Sequence, residues 1–183
     1  MTKVAPKRMT VEAFEQEYLG KPAELIRGEV HERMPAGERH GRVAGRIGVR
    51  TGYYALTQNL GESYIAEVGF VLRTSRGESV RAPDFAFIRK ERLPQVPSEQ
   101  FSRVVPDLVL EVRSPSDTDA YLQDKVAEWL EAGVQVVWVA DPDQRTITVY
   151  RADGTVEVLT EQDMLRGAPV LPAFEMPVRE AFE

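Results

Sequence analysis

Apolar residues recur along this chain in two rhythms, and the switch between them predicts its elements. In residues 118–131 a 3.6-residue period aligns Leu122, Val126, Trp129 and Leu130 on one face of a helix that stops at Gly133. Residues 108–112 and 134–140 are apolar without alternation, the mark of strands buried on both faces. Residues 146–150 alternate and predict a strand after the turn Asp141-Pro-Asp-Gln. Earlier, residues 24–34 read as a hairpin turning at Arg27-Gly28, and residues 64–73 and 80–89 as two strands joined by a turn at 74–78. Helices are expected from Thr10, a suitable N-cap, and over about residues 40–58, where Val43, Ile47, Tyr54 and Ala55 mark the apolar face and Gly45, Gly48 and Gly52 weaken it. A polar, proline-punctuated loop fills residues 92–106. From Val156 onward one further strand is expected, then a tail holding Pro169, Pro172 and Pro177.

A strand–helix–strand unit over 108–140 amid antiparallel hairpins predicts an α/β fold with a mixed sheet flanked by helices. A right-handed crossover would lay the helix on the sheet and turn Lys125 back toward Glu111. The expected organisation is a flexible tail over residues 1–9 followed by a single domain over 10–183, a length that can bury a sizeable core.

Composition narrows the chemistry. The chain has no cysteine, so disulfides and thiolate metal sites are excluded and a cytoplasmic setting fits. No apolar run approaches about 18 residues, so no membrane partner is expected. The net charge of −6 argues against an extended non-specific grip on nucleic acid but leaves a local basic groove open. No Walker loop, dinucleotide fingerprint or Ser/His/Asp arrangement occurs, and two histidines make no zinc set.

What remains is a pair of acids beside apolar strands. Asp84 opens one strand and Glu111 interrupts another. A buried charge must be paired, bonded to donors or bound to a metal. Mg2+ or Mn2+ would suit two carboxylates, since such a cation completes its shell with water and substrate phosphate. The competing reading places both acids in solvent or in ion pairs with Arg81 and Arg113. Lys125, on the apolar stripe, either stabilises charge on a phosphate or snorkels to water. Arg113, two residues past Glu111, can clamp a phosphate or simply neutralise Glu111, and cannot act as a base. Glu24 could complete the metal shell or hold a water; Glu29 is a weaker candidate in the same hairpin. His40 could contact phosphate. Asp124 reads as solvated surface.

These blocks also resemble a known family. Pro106-Asp-Leu-Val-Leu-Glu-Val-Arg-Ser-Pro-Ser-Asp, Lys125-Val-Ala-Glu-Trp-Leu-Glu-Ala-Gly-Val and Val137-Trp-Val-Ala-Asp-Pro are similar to the Uma-two family, as are Glu24-Leu-Ile-Arg-Gly-Glu-Val, His40-Gly and Ala82-Pro-Asp84. That family resembles a branch of the PD-(D/E)xK nucleases. The resemblance implies a restriction-endonuclease-like sheet and a Mg2+- or Mn2+-dependent endonuclease acting on DNA; a homodimer is expected where one-site subunits cut both strands. It implies Asp84 and Glu111 as metal ligands and catalytic residues, with Lys125 as the lysine displaced onto the helix. Arg113 stands where the superfamily lysine is expected, and Arg113, Glu24 and His40 would support phosphate or water. The alternative is a catalytically inactive domain of this fold that binds nucleic acid or a protein partner.

Overall fold

The computed structural model describes residues 8–65 and 67–183. Thr10 caps helix α1 (Val11–Tyr18), its hydroxyl accepting from the Ala13 N–H at 3.2 Å. Strands β1 (Ala23–Ile26) and β2 (Glu29–Glu32) follow, joined at Arg27 and Gly28, both with positive φ. Two left-handed residues make the turn that matches strand twist, and Gly28 enters that region without steric cost. Helix α2 runs over Glu38–Thr57. Its glycines do more than weaken it. A Cβ on Gly48 would meet the Phe85 ring at 3.2 Å, so the bare backbone lets α2 sit close to the sheet.

The two strands expected over 64–73 and 80–89 are four. They are β3 (Gly61–Ile65), β4 (Phe70–Thr74), β5 (Gly77–Arg81) and β6 (Phe85–Arg89). Pro83 has no N–H to continue a ladder between β5 and β6. Gly69 admits Phe101 and Val80 where a Cβ would clash. Each break sends the chain from one sheet to another. Beyond the 3-10 turn Lys90–Arg92 come β7 (Leu108–Val112), α3 (Asp119–Glu131), β8 (Val136–Asp141), β9 (Thr146–Arg151) and β10 (Val156–Leu159).

The main sheet has the order β10-β9-β8-β7-β6-β3, and β7 and β8 form its parallel pair with α3 as the crossover. A second sheet, β2-β1-β5-β4, lies on the other side of α3. The alternation of side chains assigns the layers. Leu108, Leu110 and Val112 face α2, whereas Val109 faces Trp129 and Val126 of α3. Phe70 and Leu72 of β4 cover α3 from the far side, and Val71 points outward against Phe14 of α1. Helix α3 is thus clamped between two sheets.

The proline-bearing tail is part of the core. It forms a two-stranded unit, β11 (Met164–Arg166) with β12 (Glu175–Pro177), and a final turn α4 (Arg179–Phe182). Leu165, Leu171, Phe174, Met176 and Val178 are buried against the α2 side of the main sheet. The prolines shape a cover for the sheet. Residues 1–7 of the expected N-terminal tail lie outside the described residues, and Met9 is tied by its N–H to the Gly28 carbonyl at 2.9 Å. Among the described residues no helix is long and apolar enough to cross a membrane.

Candidate active site

The site forms at one edge of the main sheet, where β7 and β8 end and β6 begins. Phe85 pairs with Leu110 across the antiparallel β6–β7 ladder, so one step outward sets Asp84 opposite Glu111. The Asp84 N–H donates to the Leu110 carbonyl at 3.1 Å, and the Val112 N–H donates to Asp84 Oδ2 at 2.7 Å, fixing the carboxylate across the strand end. Glu111 faces α3, and Asp84, just before β6, meets the first turn of α2.

Helix α3 supplies the partners of Glu111. Lys125 Nζ donates to Oε2 at 2.7 Å and Trp129 Nε1 donates to Oε1 at 2.9 Å. The two donors are one turn apart, so a single helical face grips both oxygens. Lys125 and Glu111 are both buried, at 6% and 3% exposure, which rules out a snorkelling lysine. Burial favours the neutral amine, but Glu111 and Glu24 outweigh it and raise the Lys125 pKa. Burial also dominates at Glu111, and the charges of Asp84 and Glu24 add to it, so its pKa is raised despite Lys125. Glu111 is therefore an under-compensated buried carboxylate.

At Asp84 burial again pushes upward, but His40, the Val112 N–H and Lys125 together hold the pKa below its usual value. His40, in the first turn of α2, places Nε2 3.4 Å from Asp84 Oδ2. Direct contact with Asp84 raises the imidazole pKa against the opposing effect of burial. Glu24, from β1, is buried and faces the same interior. Its Oε1 accepts from the Ala82 N–H at 2.9 Å and from Arg33 Nη1 at 3.2 Å, and Oε2 lies 3.3 Å from Arg81 Nη1. Burial would raise its pKa, but Lys125, Arg33 and Arg81 lower it further.

Glu24, His40, Asp84, Glu111 and Lys125 thus converge; Arg113 and Glu29 do not. Beyond the end of β7 the Arg113 guanidinium turns to Asp119 at 2.7 Å and Asp141 at 3.5 Å, drawn by the acids of neighbouring loops rather than by Glu111. Glu29 is exposed on the edge strand β2. Arg81 pairs with Glu24 and Glu128, not with Asp84. Asp124 is also not free surface: it holds Arg27 and Arg76 of the two hairpins.

Sequence reading missed a buried polar layer beneath this group. Arg81 Nε donates to Glu128 Oε2 at 2.7 Å, and the Ser79 hydroxyl donates to Glu128 Oε1 at 2.6 Å. The signal was present twice. Tyr121, Lys125 and Glu128 recur at helical spacing, and Ser79 and Arg81 alternate with Val80. Arg33 gave no such signal, because it lies just past β2.

The Uma2 family model, described as "Putative restriction endonuclease", matches residues 10–179. The chain belongs to the Uma2 family. A solved structure from Anabaena variabilis ATCC 29413, described as "a putative nuclease belonging to DUF820", superposes with a TM-score of 0.82 at 20% identity, covering 95% of this chain and 97% of that one. At that identity the likeness shows the fold, a restriction-endonuclease-like mixed sheet flanked by helices, which this Uma2 member shares. No curated protein matches the chain.

Proposed function

We propose that the chain is a metal-dependent endonuclease hydrolysing DNA phosphodiester bonds, with Mg2+ or Mn2+ held by Asp84 and Glu111. The observation that supports this reading is the β6–β7 ladder, which brings Asp84 and Glu111 to neighbouring strand ends, with Lys125 bonded to Glu111. Among the described residues no group of three His, Cys, Asp or Glu could hold a metal ion. Two carboxylates without imidazole or thiolate co-ligands suit a hard cation that takes one or two carboxylates and fills its shell with water and substrate oxygens, rather than zinc. The raised pKa of Glu111 supports the fit, since a cation supplies the charge that Lys125 alone does not.

When bound, the cation would polarise the phosphate and make a water more acidic. The chain's own residues prepare the rest. Trp129 and Lys125 fix both oxygens of Glu111, and the indole shields them from solvent. Lys125, held protonated by two acids, has further N–H donors for charge growing on the phosphate. His40 offers an imidazole donor beside Asp84. Arg33 and Arg81 keep Glu24 ionised, and Glu24 in turn sustains the charge on Lys125. One site per chain implies a homodimer for cutting both strands, checked by the mass of the complex on duplex DNA.

The test is nicking of supercoiled plasmid in Mg2+ or Mn2+. D84N and E111Q are expected to lose cleavage by at least a hundredfold while keeping the native circular dichroism spectrum. Metal-dependent cutting retained by both variants would refute the assignment. A second reading, an inactive nuclease-fold domain that binds nucleic acid or a protein partner, draws on Glu111 having both oxygens already engaged. Titration calorimetry with Mn2+ separates the two: binding that D84N abolishes favours the enzyme, and absence of binding together with absence of nicking favours the inactive domain.

A further inference from the structure

Arginines gather at the sheet edge that carries Asp84 and Glu111. Helix α2 holds four, Arg39, Arg42, Arg46 and Arg50, against one acid, Glu38, in a chain of net charge −6. Arg46 and Arg50 turn toward α4, where both meet Glu180. Arg39 and Arg42 instead line a cavity of about 270 Å³, together with Arg145, Asp143 and Phe182. Arg145 immediately precedes β9, which starts at the edge where the antiparallel β8 ends. Its guanidinium stands 5.8 Å from the centre of the Phe182 ring. Arg39 adjoins His40, whose imidazole reaches Asp84, and the turn carrying Asp143 follows β8 at the end of the sheet where β7 also ends, so the cavity lies at the same end of the sheet as the acid pair.

The three guanidinium groups are paired but partly exposed, and Arg145 also donates to the Phe182 carbonyl at 3.2 Å. Their side chains are 61%, 56% and 44% exposed for Arg39, Arg42 and Arg145. Each has one acid partner: Asp143, Glu38 and Glu161 respectively. Exposed pairs of this kind are screened by solvent and hold weakly, so an entering anion displaces little. A guanidinium also carries five donors in a planar fork suited to phosphate. The volume is below the roughly 300–1,000 Å³ of sites that enclose a whole small molecule, and suits a phosphate with its sugar.

We infer that this cavity is a phosphate subsite, holding the nucleic-acid backbone next to the bond presented to Asp84 and Glu111. The identity of the ligand rests on the endonuclease reading, and the test is made independent of cleavage. D84N protein is titrated with a short labelled DNA duplex, without divalent metal, over a range of salt concentrations, and followed by fluorescence anisotropy. R39Q/R42Q should bind at least tenfold more weakly and lower the slope of log K against log salt by about 2, since each lost phosphate contact removes about 0.9. R145Q should lower it by about 1. R73Q, which alters an exposed arginine on the β4–β5 hairpin, should change neither quantity. Equal affinity and slope in the cavity variants would overturn the subsite while leaving plasmid nicking by the unaltered chain as it was. An equal loss in R73Q, or no duplex binding by D84N at low salt, would also overturn it.

Discussion

Glu111 depends on two neighbours from one helix, and that dependence can be measured apart from any activity. Removing Lys125 leaves a buried carboxylate with Trp129 as its remaining side-chain donor. Breaking a buried pair from one side costs about 3–5 kcal/mol, most of it the penalty for the orphaned charge. K125M should lose stability on that scale in urea unfolding, and E111Q/K125M should recover at least half of the loss. Additive losses in the double variant would mean the pair is not coupled as described. The residues themselves were legible in part. Lys125 stood out because an ammonium has no ordinary place on an apolar stripe, and Glu111 because it broke an apolar strand. Arg113 was equally visible and misplaced, since strand parity says nothing about a side chain once the strand has ended. Asp124 was misjudged for a related reason: its partners Arg27 and Arg76 come from turns that helix periodicity cannot see.

At the scale of elements, periodicity located every helix of the main body and the crossover, but not which sheet each strand joins. β3 and β6 pair in one sheet, and β4 and β5 in another. The reason is Gly69 and Pro83, single residues whose effect depends on Phe101 and on the lost ladder donor, neither of which shows in alternation. The C-terminal segment was likewise read as a tail, because prolines mask the burial of Leu165, Phe174 and Met176. The glycines of α2 give a direct test of packing against propensity. Nothing lies within 4 Å of a Cβ built on Gly45, whereas Gly48 abuts Phe85. G45A should stabilise the chain by about 0.4–1 kcal/mol, and G48A should gain less or lose. Equal gains from both, measured by thermal unfolding, would mean that α2 does not sit as close to β6 as described.

Across the whole molecule, α1 is fastened to the loop before β7 by one carboxylate. Glu15 accepts from the Phe101 N–H at 2.8 Å and from both terminal nitrogens of Arg103 at 2.7 and 2.9 Å. Hydrogen bonding to Arg103 lowers its pKa, against burial. A carboxylate depressed in the folded state adds stability above its unfolded pKa, about 4.3, and loses that contribution as pH falls through the folded value. E15A should therefore cost about 1–3 kcal/mol at neutral pH, where it orphans the Phe101 N–H. The gap from the parent should narrow below about pH 4; a gap independent of pH would contradict the pairing. The same scale governs the candidate site, which draws Glu24, His40, Asp84, Glu111 and Lys125 from five separate elements or their ends. The central claim is that Asp84 and Glu111 share a hard cation, and anomalous diffraction from a crystal soaked in Mn2+ tests it most directly. The account predicts one strong peak bonded to both carboxylates, lost in D84N crystals; a saturating soak with no peak there, or a peak that survives D84N, would contradict it.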